Sequence, residues 1–407
     1  MRPDVQGSSG VQPQPLPGAP RALREVPTAD RPPSYPLSER QTVGSLSSAE
    51  LRDLLNELDA PGYRADQVRL HAWRGSAQGF ESMANLPGSL RGRLAAKIGW
   101  SSLSLVRAIE ADRGLTRKLL LRACDGQEIE AVMIRHPGTA KSRGRLTVCV
   151  SSQVGCSIGC AFCATGQLGL RRNLTPGEIV DQVLEAARLW AGSGQGAPTN
   201  VVYMGMGEPL QNYQAVVQSV RLLAEWGVPP RRVVISTSGL VPEMERLARE
   251  GLPVRLAISL HAASDAVRDR LVPLNRRYPI SRLIAAGTHY SSLTGRRVSL
   301  EYVLIEGVND SPEDAAGLRR LAAELRGHVN LIPMNSIPNS SLHAPGPEAC
   351  REFALAVGPR ATIRFSRGDR ATAACGQLRA AMEADERRLV RSGARMGAPG
   401  DAGNALP

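Results

Sequence analysis

The chain has 407 residues, 42% of them hydrophobic and 22% charged, which suits one large folded domain or two to three smaller ones. No run of about 18 uncharged apolar residues occurs, and the first ten residues lack the apolar region of a secretory signal, so we expect a cytoplasmic protein without a membrane span. The formal net charge of +12 is consistent with a nucleic-acid partner. Nearly all basic residues are arginine, however, and a genome rich in G and C would also produce this bias.

The seven cysteines are unevenly spread along the chain. Three of them fall within eight residues, at Cys156, Cys160 and Cys163. An odd number with one tight cluster argues against a secreted disulfide scaffold. A metal bound by thiolates in a reducing compartment fits the pattern better.

The composition divides the chain into five segments. Residues 1–40 contain nine prolines, so we interpret residues 1–43 as a disordered leader. Residues 44–105 carry three amphipathic segments and predict a small helical domain of an RNA-binding type. Residues 106–140 are interpreted as connecting strands, residues 141–385 as the main domain, and residues 386–407 as a flexible tail.

Strands and helices alternate after these connecting strands. The apolar runs predict seven strands, at 145–151, 200–204, 232–237, 254–261, 297–305, 329–334 and 362–366. Capped helix starts lie between them, for example Thr175-Pro176 with Glu178. Repeated strand–helix units predict an α/β fold with a parallel sheet, in the form of a partial (β/α)6 barrel. Its chemistry belongs at the carboxyl ends of the strands.

The strongest chemical signal is the run Cys156-Ser-Ile-Gly-Cys160-Ala-Phe162-Cys163, directly after the first predicted barrel strand. Thiolates select zinc or iron–sulfur clusters. Structural zinc sites take four protein ligands, usually as two spaced pairs, and neither a second C-x2-C pair nor a pair of finger histidines is present. A [4Fe–4S] cluster on three cysteines leaves one iron open to another ligand.

This C-x3-C-x-aromatic-C run resembles the signature of the radical S-adenosylmethionine (SAM) superfamily. The resemblance implies a radical SAM barrel, one [4Fe–4S] cluster on the three cysteines, and SAM chelated to the open iron. It also implies a SAM-binding turn at Gly205-Met-Gly207-Glu208-Pro209, whose carboxylate meets the SAM amino group. Further SAM contacts are expected at strand ends, namely at Ser236, Ser259, Leu260, His261 and Asn335.

Several further motifs occur in order over residues 45–380. They are CVSSQVGC from Cys149, NLT, MGMGEPL, ISTSG, SLHA, LIPMN, and RGD-x5-CGQL around Cys375. Together they resemble the family of adenine C2/C8 RNA methyltransferases. The resemblance implies methylation of an adenosine in large-subunit ribosomal RNA. Of the two ring positions that the family methylates, C2 is expected before C8. Some members of the family also methylate transfer RNA.

The resemblance also implies roles for three residues. Cys375 takes a methyl group from one SAM, and a radical from a second SAM converts it into a methylene radical that adds to the adenine. Glu130, with Glu128 as a competitor, takes the ring proton. Cys149 then attacks the Cys375 sulfur, which releases the product and leaves a transient Cys149–Cys375 disulfide for an external reductant.

The family resemblance also predicts the binding partners, and two other functions remain as alternatives. The expected partners are RNA with a splayed-out target base and an electron donor such as flavodoxin or ferredoxin, and the protein is expected to be a monomer. Candidate phosphate contacts are Arg171-Arg172, Arg276-Arg277 and residues 141–145. One alternative is a radical SAM enzyme acting on a peptide or small molecule, and a second is a non-enzymatic iron–sulfur or zinc RNA-binding protein.

Overall fold

Three short helices open the described part of the chain. The structure, a computed structural model, describes residues 41–138, 144–191, 197–335, 337 and 340–365. The helices are α1 (Ser48–Glu57), α2 (Arg64–Arg74) and α3 (Gly88–Lys97). Helix α1 begins with a capping box in which Ser47 and Glu50 bond each other's backbone N–H groups. These helices confirm the three amphipathic segments predicted here, while the segment boundaries given above stay predictions.

An antiparallel ribbon follows the helices. Its strands are β1 (Leu103–Ala111), β2 (Thr116–Ala123) and β3 (Glu128–His136), and β3 pairs antiparallel with β4 (Arg145–Cys149). The strands predicted within residues 106–140 were Arg117–Arg122 and Glu128–Ile134, which correspond to β2 and β3. No strand was predicted at β1, because most of its residues are at least partly exposed and its sequence lacks a regular apolar alternation. The ribbon joins the helical region to the sheet that β4 continues.

A small hairpin interrupts the chain after β4. It consists of β5 (Gln153–Gly155), the short helix α4 (Ala164–Leu168) and β6 (Leu170–Asn173), with β5 and β6 antiparallel. Helix α5 (Pro176–Ala191) then covers the main sheet, and Thr175 and Glu178 cap its start reciprocally. The cysteine run therefore lies between the two strands of a hairpin rather than on a simple strand-to-helix loop.

The remaining elements alternate as predicted. The strands and helices that follow α5 are, in chain order, β7 (Asn200–Tyr203), α6 (Tyr213–Glu225), β8 (Val233–Thr237), α7 (Val241–Arg249), β9 (Arg255–Ser259), α8 (Asp265–Leu271), α9 (Ile280–Thr294), β10 (Ser299–Leu304), α10 (Pro312–Glu324), β11 (His328–Pro333), α11 (Pro347–Val357) and β12 (Ala361–Ile363).

The main sheet has the order β1-β2-β3-β4-β7-β8-β9-β10-β11-β12 among the described strands. All pairs from β4 to β12 are parallel. Sequential parallel strands with intervening helices confirm the predicted (β/α) architecture, and β1 and β12 are the outermost strands among the described residues. In the described residues, no helix combines the length and the apolar character needed to cross a bilayer.

The two faces of the sheet differ. On the outer face, Tyr203 bonds Ser219 of α6 through its hydroxyl (2.7 Å), and Tyr302 stacks on Phe353 of α11. The register places the alternate residues on the inner face. Strand pairing joins Lys118, Val132, Cys149, Val202 and Val234 into one inner row, and Ser259, Glu301, Asn330 and Thr362 into another.

Candidate functional site

The hairpin between β5 and β6 holds the three clustered cysteines. The Cys156 N–H bonds the Gly169 carbonyl (3.1 Å), and the Ala161 N–H bonds the Leu271 carbonyl at the end of α8 (3.0 Å). Gly155 has φ +79°, and a Cβ there would lie 1.8 Å from the Gly169 oxygen, so the hairpin requires glycine at this position. The cysteine loop is thus fastened both to its own hairpin and to the helix after β9.

The three thiols lie close enough to interact electrostatically. Burial raises the pKa of Cys156 to about 12, and the Cys163 and Glu208 charges add to this shift. Burial also raises the pKa of Cys160 well above its usual value, with Cys163 and Cys156 as the next causes. Within the described residues, no three His, Cys, Asp or Glu side chains are grouped to hold a metal ion.

The turn after β7 is packed tightly against the exit of β4. The Met206 N–H bonds Ser151 Oγ (2.9 Å), and the Glu208 N–H bonds Gln153 Oε1 (2.8 Å). Gly207 has φ +101°, and a Cβ there would lie 2.8 Å from the Gln153 nitrogen. The glycines of this turn therefore let two strand ends approach each other beside the cysteine hairpin.

Glu208 is buried and its carboxylate is well bonded. It accepts from the Ser238 N–H (2.7 Å), the Ser238 hydroxyl (2.8 Å) and the Leu210 N–H (3.0 Å). Burial raises the pKa of Glu208, and these hydrogen bonds oppose that shift. A carboxylate has about four lone-pair sites, so it can accept from an ammonium group as well.

The exits of β8 and β9 bring the next predicted residues together. Ser236 Oγ and Ser259 Oγ lie 3.2 Å apart, and both the Leu260 and His261 N–H groups bond the Glu301 carbonyl. Asn335 follows β11 by two residues and is partly exposed. The predicted polar strand ends therefore lie on the same edge of the sheet as the cysteine hairpin.

His261 occupies a strained position at this edge. Its φ is +59°, and its ring packs edge-on against Phe162 of the cysteine loop, with centroids 4.6 Å apart. Burial, helped by the Arg268 charge, lowers the pKa of His261 to about 3. Nδ1 accepts from the Val303 N–H (3.1 Å), so the neutral ring carries its hydrogen on Nε2.

Arg268 is a site residue that the sequence did not reveal. Its guanidinium is fully buried and donates to the carbonyls of Leu260 (2.9 Å), Ser238 (2.7 Å) and Ser259 (3.1 Å) and to Asn275 Oδ1 (2.8 Å). Burial lowers the pKa of Arg268 to about 10, and the nearby Cys160 opposes this shift most strongly. One cation therefore joins the exits of β8 and β9 beside the cysteine loop.

Replacing Arg268 by methionine is expected to destabilise the protein by about 3 kcal/mol, because several carbonyl groups lose a charged donor without access to water. Urea denaturation monitored by circular dichroism measures this change. The matched control is Arg270→Met, an exposed arginine on the same helix, with an expected change within about 0.5 kcal/mol. Equal midpoints for both variants would contradict the joining role of Arg268.

Cys149 and Glu130 lie on the inner face of the sheet. Cys149 ends β4 and is buried, and Glu130 lies on β3 with its carboxylate 3.4 Å from Lys118 Nζ. The Glu130 carbonyl accepts from Ser151 Oγ (2.6 Å), which also accepts from Met206. The competitor Glu128 instead pairs with Arg122 (2.8 Å). Cys375 lies outside the described residues.

The predicted phosphate contacts have different surroundings. Arg172 bonds Asp125 and both oxygens of Glu178, so its guanidinium is part of the structure at the start of α5 and is not available for RNA. Arg171 bonds Gln127 (3.0 Å). Arg276 and Arg277 are exposed. Residues 141–143 lie outside the described part of the chain.

Comparison with known proteins finds relatives that cover most of the chain. The profile of the "Radical SAM superfamily" matches residues 150–318. A protein of Moorella thermoacetica, named "Probable dual-specificity RNA methyltransferase RlmN", is 46% identical over 352 residues, covering 84% of this chain and 98% of the relative. A protein of the same name from Parafrankia sp. is 45% identical over 369 residues, covering 86% of this chain and 92% of the relative.

A solved structure extends the likeness to the fold. The crystal structure of a radical SAM methyltransferase from Sphaerobacter thermophilus aligns with a TM-score of 0.77 and 49% sequence identity. The alignment covers 84% of this chain and 99% of that chain. The radical SAM fold expected from the cysteine run is thereby confirmed.

Proposed function

Because the chain belongs to the RlmN family of radical SAM RNA methyltransferases, we propose that it methylates C2 of an adenosine in large-subunit ribosomal RNA. Methylation at C8, and of transfer RNA as well, are the neighbouring possibilities within the same family chemistry. The observation that carries the proposal is the convergence of the cysteine hairpin, the Glu208 turn and the β8 and β9 exits on one edge of the sheet. Relatives of this kind favour neither a peptide-modifying enzyme nor a non-enzymatic RNA-binding protein.

Three thiols in one short loop are a suitable donor set for an iron–sulfur cluster with one iron left open. Structural zinc sites instead take four protein ligands. A cluster carried by Cys156, Cys160 and Cys163 has a net negative charge, and the buried Arg268 supplies a cation beside Cys160. When bound, the [4Fe–4S] cluster and two SAM molecules per turnover supply the one-electron chemistry and the methyl group.

The polar strand ends fit SAM. Glu208 is positioned to accept from the SAM ammonium group, and Gly207 leaves room for close approach of the backbone. Ser236 and Ser259 offer hydroxyls for the ribose, with Leu260, His261 and Asn335 at the neighbouring strand exits. The neutral imidazole of His261 adds no charge there.

Three residues of the chain handle the transferred carbon. The Cys375 thiolate attacks the methyl carbon of the SAM sulfonium: an S–C bond to Cys375 forms, and S-adenosylhomocysteine leaves. Once that carbon is bonded to the adenine, the ring C–H bond breaks and its proton passes to the Glu130 carboxylate. The adduct also gives up its one unpaired electron, for which the oxidised iron–sulfur cluster, when bound, would be the acceptor. The Cys149 thiol then attacks the Cys375 sulfur: an S–S bond forms, the C–S bond breaks, and the thiol proton passes to the released methyl carbon. An external dithiol reopens the disulfide.

The surroundings of the enzyme complete the proposal. The reaction needs a one-electron donor, for which flavodoxin or ferredoxin is suitable, and a target base displaced from its stack. We place the reaction in the cytoplasm, where ribosomal RNA and a reducing thiol pool meet, and propose a monomer.

Mass spectrometry of RNA nucleosides tests the function. Deletion of the gene is expected to remove 2-methyladenosine from large-subunit ribosomal RNA, and complementation is expected to restore it. Loss of 8-methyladenosine instead would move the reaction to C8. An unchanged nucleoside profile in both RNA classes would overturn the proposal.

A further inference from the structure

Lys118 is an unusual residue in this chain. Of the 50 basic residues, only Lys97, Lys118 and Lys141 are lysines, so arginine serves almost everywhere that a cation is needed. Lys97 is exposed on α3, and Lys141 lies outside the described residues. Lys118 is only 4% exposed. A composition so biased towards arginine retains a lysine at this buried position.

The partner of Lys118 is the residue proposed as proton acceptor. Lys118 Nζ lies 3.4 Å from Glu130 Oε2, and the two side chains are 5% and 1% exposed. They lie on adjacent strands and on the inner face of the sheet, where the register places Lys118 opposite Val132 and Val132 opposite Cys149. The ammonium group is therefore in the same inner row as the cysteine that is proposed to release the product.

Glu130 is also connected to the SAM-binding turn. Its carbonyl accepts from the Ser151 hydroxyl (2.6 Å), and Ser151 Oγ in turn accepts from the Met206 N–H (2.9 Å). Met206 lies between the two glycines of the turn that ends in Glu208. The position of the Glu130 backbone is thus set by the same contacts that shape the turn, while its carboxylate is held from β2 by Lys118.

Physical chemistry explains why a lysine suits this position. A buried charged group is stabilised by a partner of opposite charge, and the Lys118 ammonium is such a partner for the Glu130 carboxylate. The lysine ammonium is a compact point charge, whereas the guanidinium of arginine is a wide, planar group that prefers to engage both carboxylate oxygens. Lysine therefore compensates the charge while leaving the carboxylate less completely engaged than arginine would.

We propose that Lys118 is a positioning residue of the methyl transfer, whose ammonium orients the Glu130 carboxylate towards the adenine carbon that loses its proton. This rests on the proposed function, in which Glu130 is the proton acceptor. In that step the ring C–H bond breaks, the proton passes to a Glu130 oxygen, and the C–H bonding electrons stay on the ring. The adduct radical gives up one electron, for which the oxidised iron–sulfur cluster of the proposed function would be the acceptor. Lys118 acts through Glu130 and does not itself contact the reacting atoms.

The test uses the reconstituted holoenzyme and a transcript of a large-subunit ribosomal RNA fragment, made once with ordinary adenosine and once with adenosine deuterated at C2 and C8. Lys118→Met is expected to form methylated RNA about 100-fold more slowly, the lower end of what general bases contribute. Proton removal then limits the rate, so a deuterium isotope effect appears that the wild type lacks. Lys118→Arg, which keeps the charge, is expected to recover part of the rate.

The matched control is Arg122→Met, which breaks the Arg122–Glu128 pair on the same two strands and the same face. Its rate and isotope effect are expected to equal those of the wild type. Mass spectrometry of the intact Lys118→Met protein is expected to show normal methylation of Cys375, because the first SAM reaction does not involve Glu130. A slow Lys118→Met variant without an isotope effect, or one as fast as the control, would overturn the proposal. Absence of methylated RNA from the wild type would instead overturn the proposed function.

Discussion

Replacement of Cys149 by alanine is expected to stop turnover after one carbon has been transferred, and to leave enzyme and RNA covalently joined. Without the Cys149 thiol, nothing attacks the Cys375 sulfur, so the C–S bond to the methylene group on the adenine stays intact. A denaturing gel with labelled RNA shows the joined species as a band that ribonuclease removes. Mass spectrometry locates the remaining nucleotide at Cys375.

Two variants complete this experiment. Cys375→Ala is expected to give neither methylated RNA nor the joined species, because the variant lacks the thiol that accepts the methyl group from SAM. Cys350→Ala removes a buried thiol of α11, away from the site, and is expected to turn over normally. Methylated RNA from Cys375→Ala would show that the carbon reaches adenine by another route, as in a radical SAM enzyme that needs no cysteine pair.

Replacement of Cys160 by serine is expected to abolish the iron–sulfur cluster and, with it, all SAM cleavage. Anaerobic reconstitution of the wild type is expected to yield about four iron and four sulfide per chain. In Cys160→Ser, two thiolates remain on a hairpin that is fixed by the Cys156–Gly169 and Ala161–Leu271 hydrogen bonds, so no other residue can take the vacated position easily. Metal and sulfide analysis with the visible absorption spectrum measures the loss.

The control for the cluster is Cys124→Ser. Cys124 is exposed and lies in the turn between β2 and β3, outside the cysteine hairpin. Its iron and sulfide contents are expected to match those of the wild type. Tetrahedral zinc in the wild type, with no iron after reconstitution, would contradict the radical mechanism altogether.

The barrel strands were predictable because each is a short apolar run between turn residues, and the structure confirms strands at all seven predicted positions, mostly shorter by a few residues. Two features escaped that reasoning. Strand β1 shows no regular burial alternation, and β5 and β6 are only three and four residues long, too short to leave a periodic signal. The hairpin they form nevertheless determines where the cysteines lie.

The candidate site was predictable to a different degree at each residue. Some site residues belong to local motifs and can be identified from their neighbours in the sequence; these are Cys156, Cys160, Cys163 and Glu208. Arg268 belongs to no motif in a chain rich in arginine, and its carbonyl partner at Ser238 lies 30 residues away. The choice between Glu128 and Glu130 was likewise open, since both occupy the same face of β3. The pairing with β2 places Glu130 beside buried Lys118 and Glu128 beside half-exposed Arg122.

The amino-acid sequence by itself determined the kind of chemistry available here, since thiol spacing, glycine turns and the order of strands and helices are properties of neighbouring residues. Only the tertiary structure decided which distant groups meet: the guanidinium that joins two strand exits, the ammonium beside the Glu130 carboxylate, and the shared inner face of Cys149 and Lys118. Hydrophobic periodicity and turn geometry encode which face a residue occupies and limit the register of adjacent strands. They do not tell which residues of strands far apart in the sequence lie side by side, and the packing of the whole sheet decides that.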